Sequence, residues 1–160
     1  MAIAARWIRM DRESAAMLRA AFHAFARAQS RHSMPAVLWG RAGESECACA
    51  LVAPLKFAPG RRQRWPAWAL APLVAAWRRH GVRACLEADG VSLAGERIAA
   101  CESGASGDCT LIICSFDWLE RDFMETLRGL IESQYGWQFD HCWPSATERY
   151  AMSGALADAR

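Results

Sequence analysis

Two arginines, Arg41 and Arg97, lie in turn and hairpin segments where their side chains could bind a small anion. Arg41 follows the apolar run 36–39 in a turn that ends at Gly43, and Arg97 comes two residues after Gly95. A guanidinium group binds carboxylate or phosphate through two parallel N–H donors. The pair could therefore hold an anion between two facing hairpins, although two solvated arginines would produce the same pattern.

Cysteine could supply a nucleophile, and the two candidates are Cys101 and Cys114. The attacking species is the thiolate, which needs an electropositive neighbourhood or a base. Cys101 lies beside Glu102 and close to Arg97, with no histidine near it in the chain, and Cys114 lies in an apolar run. Buried thiols behave as small hydrophobes, so we expect a structural role and keep Cys101 as a weak catalytic candidate.

Four further residues could bind a metal ion. Cys47 and Cys49 alternate on a predicted strand and therefore point to one face. His141 and Cys142 could complete a zinc site with them, but zinc sites usually show paired Cys-x-x-Cys spacing, which this sequence lacks. We predict no metal site. Asp140 could orient His141 as a base, although adjacent residues of an extended chain point in opposite directions.

Length and composition predict one globular domain, residues 1–160. The chain has 160 residues, of which 53% are hydrophobic and 22% charged. No apolar run reaches the roughly 20 residues of a membrane span, and four charged side chains in the first twelve residues argue against a signal peptide. We predict a cytoplasmic protein without a membrane partner. The net charge of +2 predicts no nucleic-acid partner, despite the basic and aromatic stretch 61–65.

The positioning elements follow from hydrophobic spacing and turn residues. Three long helices are predicted at about 11–31, 65–79 and 118–134, and a capping box at Ser145–Glu148 predicts a short fourth helix. Extended runs are predicted at 36–39, 47–55, 82–86, 90–93, 97–101, 108–116 and 137–143. Strand pairs follow one another without intervening helices. The pattern therefore indicates an α+β fold with a central mixed, mostly antiparallel sheet and helices packed on one face.

The segment 86–102, LEADGVSLAGERIAACE, carries a resemblance to a known family. Its second half, GERIAAC at 95–101, resembles the hairpin of biotin and lipoate protein ligases and the related octanoyltransferases. That hairpin carries glycine, two basic or polar residues, an aliphatic residue, alanine, glycine and another aliphatic residue. The order of elements over 35–116 is similar to the family as well. The resemblance implies a ligase-like α+β domain.

One position decides what the resemblance implies about activity. In the family a strand carries Lys-Trp-Pro-Asn-Asp, and its lysine contacts the acyl carboxylate and the adenylate phosphate. Counting back from Gly95 at the family's spacing places Leu86 at that lysine, and Asp89 and Gly90 at the asparagine and aspartate. Leucine has neither charge nor donor, and the only lysine, Lys56, lies in another element. We therefore expect a chain that does not adenylate.

The implied ligand is an acyl, lipoate-like or biotin-like small molecule, and no resident cofactor is predicted. The predicted ligand-binding residues are Arg41, Gly43, Leu86, Asp89, Gly90, Gly95, Arg97 and Ile98. Three alternatives remain open: an accessory protein of lipoate or biotin metabolism, a non-catalytic domain for protein interaction or homodimerisation, and an acyltransferase that uses Cys101.

Overall fold

The computed structural model describes residues 2–57, 65–117 and 122–159, which form eight strands and four helices. The strands are β1 (Ile3–Arg9), β2 (Ala36–Ala42), β3 (Glu46–Pro54), β4 (Cys85–Leu86), β5 (Gly90–Leu93), β6 (Glu96–Ser106), β7 (Cys109–Asp117) and β8 (Trp137–His141). The helices are α1 (Ala15–Arg27), α2 (Trp65–Arg79), α3 (Phe123–Tyr135) and α4 (Ala146–Ala159), and a short 3₁₀ turn at Leu55–Phe57 follows β3.

The strands form one mixed sheet in the order β4-β5-β6-β7-β3-β2-β1-β8. β1 runs parallel to both of its neighbours, β2 and β8. The remaining neighbouring strands are antiparallel. The α+β class and the mostly antiparallel sheet are therefore confirmed.

The helices lie on both faces of the sheet, so the prediction that they pack on one face was wrong. Phe22 of α1 and Met152 of α4 share one core, whereas Trp77 of α2 and Leu127 of α3 share the core on the other face. The physical reason lies in β2 and β3, which are buried at almost every position. Because strand side chains alternate between faces, a strand that is apolar throughout needs cover on both sides.

Strand β1 has no counterpart among the predicted elements. Its sequence, IAARWIR, contains two arginines and does not indicate a buried strand. Its burial follows from its pairing with β2 and β8. Helix α1 begins at Ala15 because the side chain of Ser14 accepts a hydrogen bond from the backbone N–H of Met17. The predicted start at 11 is too early, since Arg12 instead forms a parallel bridge with Ala42.

The third and fourth predicted helices are both present, with different lengths. Helix α3 begins at Phe123, and the earlier predicted positions 118–121 lie outside the described residues. Helix α4 begins where the capping box predicts. The backbone N–H of Ser145 donates to Glu148 Oε1 at 2.8 Å, and the N–H of Glu148 donates to Ser145 Oγ at 3.2 Å. The helix is longer than predicted and extends to Ala159.

Glu148 also ties three elements together. Arg6 of β1 donates to both carboxylate oxygens at 2.8 Å, and Gln29, which follows α1, donates to Oε2 at 2.6 Å. Burial disfavours the charged carboxylate, but these hydrogen bonds outweigh it and lower the pKa of Glu148 to about 2. The charged pair therefore joins β1, α1 and α4 on one face of the sheet.

No helix in the described ranges is long and apolar enough to cross a bilayer.

Candidate functional site

The hairpin between β5 and β6 has the geometry that the sequence predicts. Leu93 pairs with Glu96 across a two-residue loop, in which Ala94 and Gly95 both have positive φ, 53° and 83°. Two positive φ values define the tight turn whose twist matches the flanking strands, and glycine adopts this conformation without strain. Gly95 therefore shapes the turn that precedes Arg97.

The side chain of Arg97 contacts two of the other predicted residues, Asp89 and Gly90, and also the carboxylate of Glu87. Its Nη2 donates to Glu87 Oε2 at 3.0 Å and to Asp89 Oδ1 at 2.8 Å. A Cβ atom on Gly90 would lie 2.5 Å from the carbonyl oxygen of Ala99 and 3.1 Å from Arg97 Cζ, so only glycine allows this close approach. The hydrogen bond with Arg97 lowers the pKa of Asp89 and raises that of the guanidinium. Arg97 is thus held by carboxylates of its own hairpin region.

A groove opens beside this hairpin, between α1 and strands β3, β7 and β6. Its volume is about 380 Å³, and small side chains, mostly alanines, form much of its wall. We call it the α1 groove. It is lined by Ala15, Ala16, Arg19, Phe22, Ala42, Glu46, Cys47, Ala48, Arg97, Ile98, Ala99, Ala100, Ile113, Ser115 and Phe116. Of the predicted ligand-binding residues, Arg97 and Ile98 lie in this lining.

Arg19 is a groove residue that sequence reasoning missed. Its Nε donates to Glu102 Oε1 at 2.5 Å, and its Nη2 donates to Glu102 Oε2 at 3.0 Å. This ion pair joins α1 to β6, raises the pKa of Arg19 and lowers that of Glu102. The two residues are 83 positions apart. No local pattern in the sequence indicates such a contact.

Arg41 near the end of β2 and Gly43 in the turn between β2 and β3 lie at the same end of the sheet as Arg97. Gly43 has φ +77°, and its N–H donates to the carbonyl oxygen of Arg12. Arg41 Nη2 donates to the carbonyl oxygen of Glu44 at 2.6 Å. Strands β3 and β7 separate β2 from β6, which places the two strands roughly 14 Å apart at about 4.8 Å per step. Arg41 and Arg97, the two predicted anion ligands, thus each contact residues close to them in the sequence.

Leu86 lies on the edge strand β4, where its side chain is 44% exposed and pairs with Val91. It is not part of the groove lining, and neither are Asp89 and Gly90. Asp89 and Gly90 lie against Arg97 instead. The residue that the sequence resemblance matches to the family's lysine is therefore an exposed apolar residue at the sheet edge.

Cys101 lies outside the α1 groove and forms a row with two other cysteines. Cys49 of β3 pairs with Cys114 of β7, and Cys114 pairs with Cys101 of β6. The row packs against the core formed with α2 and α3. A hydrogen bond from the Cys114 thiol lowers the pKa of Cys101, whereas that hydrogen bond and full burial raise the pKa of Cys114.

The remaining candidates do not converge. Strands β2 and β1 lie between Cys47 on β3 and His141 on β8, and burial raises the pKa of the Cys47 thiol. Asp140 and His141 pair with successive residues of β1 and so point to opposite faces. Residues 61–64 of the basic stretch lie outside the described part of the chain.

Comparison with known proteins finds relatives by structure alone. No family model and no curated protein matches this sequence. A putative lipoate protein ligase from Thermoplasma acidophilum with bound lipoic acid matches with TM-score 0.82 and 7% identity, over 98% of this chain and 96% of that one. A bi-partite lipoate protein ligase from the same organism, described with its E2 lipoyl domain, matches with TM-score 0.81 and 8% identity, over 97% and 92%.

A biotin acetyl coenzyme A carboxylase synthetase from Helicobacter pylori, with bound biotinylated ATP, matches more loosely. Its TM-score is 0.53 with 7% identity, over 99% of this chain and 75% of that one. At such low identity the comparisons establish the fold, which is that of lipoate and biotin protein ligases. The expected resemblance is confirmed at the level of fold, and it covers nearly the whole chain instead of 35–116 alone.

Proposed function

We propose that this chain binds the acyl part of a lipoate-like or fatty-acyl ligand in the α1 groove and does not adenylate it. The groove volume of about 380 Å³ falls within the range of roughly 300–1,000 Å³ for small-molecule sites. Its alanines, together with Ile98 and Ile113, offer an apolar wall to a hydrocarbon chain. The lipoic acid held by a neighbour of this fold supports the choice of ligand class.

The observation that carries the proposal is the charge around the groove. Two arginines line it, and both are paired with carboxylates of the chain itself. Of the lining residues, Arg19, Arg97 and Glu46 are charged, and the carboxylates of Glu87, Asp89 and Glu102, which lie outside the lining, pair with the two arginines. Carboxylates are thus in twofold excess around the two guanidinium groups, which disfavours the binding of a triphosphate. An adenylate phosphate therefore does not fit this set of residues.

A single carboxylate is easier to accommodate than a triphosphate. The ion pairs of Arg97 are exposed, and exposed pairs contribute little to stability. An acyl carboxylate can therefore take the place of Asp89 on the guanidinium fork. Lys56 offers no substitute, because it lies in the 3₁₀ turn beyond the far end of β3, and that end is roughly 20 Å along the strand from Ala48 at about 3.3 Å per residue.

The proposal is tested by thermal shift and by pyrophosphate release. At ten times its Kd, octanoate or lipoate should raise the Tm by roughly 3–6 °C. With ATP added, no pyrophosphate should be released. If Arg97 holds the carboxylate, octanamide should stabilise less than octanoate. Pyrophosphate release at an enzymatic rate would refute the absence of adenylation.

Two alanines of β6 give a matched pair of variants. Ala100 is exposed and lines the groove, so Ala100→Leu should fill the acyl site and abolish the thermal shift. Ala105 is exposed on the same strand outside the groove, and Ala105→Leu should keep the shift. An equal shift in both variants would place the ligand elsewhere.

A second candidate function, binding a protein partner or another copy of the chain, is favoured by two exposed aromatic residues. Trp143 is 81% exposed and Tyr150 is 85% exposed, which is unusual for side chains of this size. Light scattering over a concentration series should then reveal a dimer that Tyr150→Ala weakens. A monomer at all concentrations would exclude self-association. The cysteine-dependent alternative receives no support, since Cys101 does not line the groove.

A further inference from the structure

The row of cysteines across β3, β7 and β6 contains one pair with distinctive geometry. Cys114 is the central residue, opposite Cys49 on one side and Cys101 on the other. All three are free thiols. In an antiparallel sheet, directly opposite residues alternate between hydrogen-bonded pairs, with Cα atoms about 5.5 Å apart, and non-hydrogen-bonded pairs, with Cα atoms about 4.5 Å apart.

The backbone hydrogen bonds show which kind each pair is. The N–H of Cys101 donates to the carbonyl oxygen of Asp89 at 2.9 Å, on the β5 side, and therefore points away from β7. Cys101 and Cys114 thus form a non-hydrogen-bonded pair, so Cys114 and Cys49 form a hydrogen-bonded one. Trp39, the next residue in the row, agrees with this alternation, since its carbonyl oxygen accepts from Met10 on the far side.

We propose that Cys101 and Cys114 are a thiol modification site that a hydroperoxide converts to a cross-strand disulfide. A Cα separation of about 4.5 Å, with the side chains close together, lies within the range of disulfides. Cys101 is half-buried and reachable, whereas Cys114 is only 4% exposed. The more accessible Cys101 thiol is therefore the one that reacts with the oxidant, and the buried Cys114 thiol resolves the product.

The reaction has two steps. The Cys101 thiolate attacks one peroxide oxygen, the O–O bond breaks, and Cys101 becomes a sulfenic acid while the other oxygen leaves as alcohol or water. The Cys114 sulfur then attacks the sulfenic sulfur, the S–O bond breaks, and water leaves with the thiol proton. The two thiols lose two hydrogens in total, and the peroxide is reduced. The thiol–thiolate hydrogen bond that lowers the pKa of Cys101 favours the first step.

The disulfide would staple β6 to β7, the two strands that carry the Ile98–Ala100 and Ile113–Phe116 walls of the α1 groove. The closed loop has 14 residues, from Cys101 to Cys114. Loops of this length give an entropic stabilisation that corresponds to a Tm increase of roughly 5–10 °C. Oxidation should therefore stiffen one side of the groove, and a thiol reductant should reverse the effect.

The experiment is mass spectrometry of the full chain after hydrogen peroxide treatment, with free thiols alkylated before digestion. The intact mass before alkylation should fall by roughly 2 Da, the mass of two hydrogens. Trypsin and an endoproteinase that cleaves before aspartate separate 98–107, which contains Cys101, from 108–116, which contains Cys109 and Cys114. The two fragments should remain linked until a reductant is added.

Single cysteine variants make the assignment unambiguous. Cys109→Ser and Cys49→Ser should both retain the linked fragments, because Cys109 faces the other core and Cys49 belongs to the wider pair. Cys101→Ser should lose the link, with circular dichroism confirming that the variant is folded. Cys114→Ser should lose it as well. A link from Cys114 to Cys49, or no link in the folded wild-type chain, would overturn the inference.

Discussion

Replacing Glu148 with glutamine should lower the free energy of unfolding by about 3 kcal/mol at neutral pH. The carboxylate is 8% exposed and accepts two hydrogen bonds from Arg6, one from Gln29 and one from the backbone of Ser145. Its pKa falls from 4.5 to about 2 on folding, and each unit corresponds to about 1.36 kcal/mol.

The pH dependence has a definite sign. Because the pKa is lower in the folded state, the stabilisation by ionised Glu148 is fully present above about pH 4.5 and is lost as the pH falls toward 2. Urea denaturation of the wild type and Glu148→Gln should therefore show a difference of about 3 kcal/mol at pH 7, about half that near pH 3, and little at pH 2.

A matched control is Glu125→Gln, which removes a 54% exposed carboxylate from an ion pair with Arg128. Exposed helix pairs contribute at most about 0.5 kcal/mol, so this variant should unfold close to the wild type. A Glu148→Gln effect below about 1 kcal/mol at pH 7, or one that stays constant down to pH 3, would refute the link between pKa and stability.

Four further predictions concern the backbone and the core, and they follow from close contacts, a φ angle and burial. A Cβ atom on Gly40 would lie 1.8 Å from the carbonyl oxygen of Met10, so Gly40→Ala should unfold the chain or lower its Tm sharply. Gly129 lies in α3 with open space around its Cβ position, so Gly129→Ala should raise the free energy of unfolding by about 0.5–1 kcal/mol. Gly95→Val should destabilise by roughly 1–2 kcal/mol, because a branched side chain at φ +83° is strained. Trp77→Ala should cost about 3–5 kcal/mol in denaturant unfolding, since the ring is fully buried; a cost below 1 kcal/mol would contradict its place in the core.

Much of the fold follows from local sequence patterns, and these parts could be predicted. Helix α2 has the predicted bounds because Pro66 opens it and Gly81 follows its end. The capping box at Ser145 and Glu148 is a four-residue signal and needs no distant partner. The glycine turn at Gly95 is likewise local. Each of these features depends on residues within one turn of the chain.

The features that sequence reasoning missed depend on distant partners. Strand β1 is stabilised by pairing with β2 and β8, and its own residues carry no distinctive period. The pair Arg19–Glu102 and the pair Arg6–Glu148 join positions 83 and 142 residues apart. At the candidate site, the hairpin and Arg97 were predictable, but the opposite wall on α1 was not. The alanines of α1 form an ordinary helix face in the sequence, and only the structure shows that β6 lies across the groove from them.

The position of β1 between β2 and β8 has a consequence for synthesis of the chain. The strand is synthesised before both of its neighbours, and the second of them, β8, ends 132 residues later at His141. At a synthesis rate of about 5–20 residues per second, one edge of β1 stays unpaired for roughly 7–26 s. Open strand edges invite pairing with other nascent chains, and charged side chains reduce that risk. Arg6 and Arg9 therefore protect an edge that the finished protein covers, before Arg6 receives its permanent partner in Glu148.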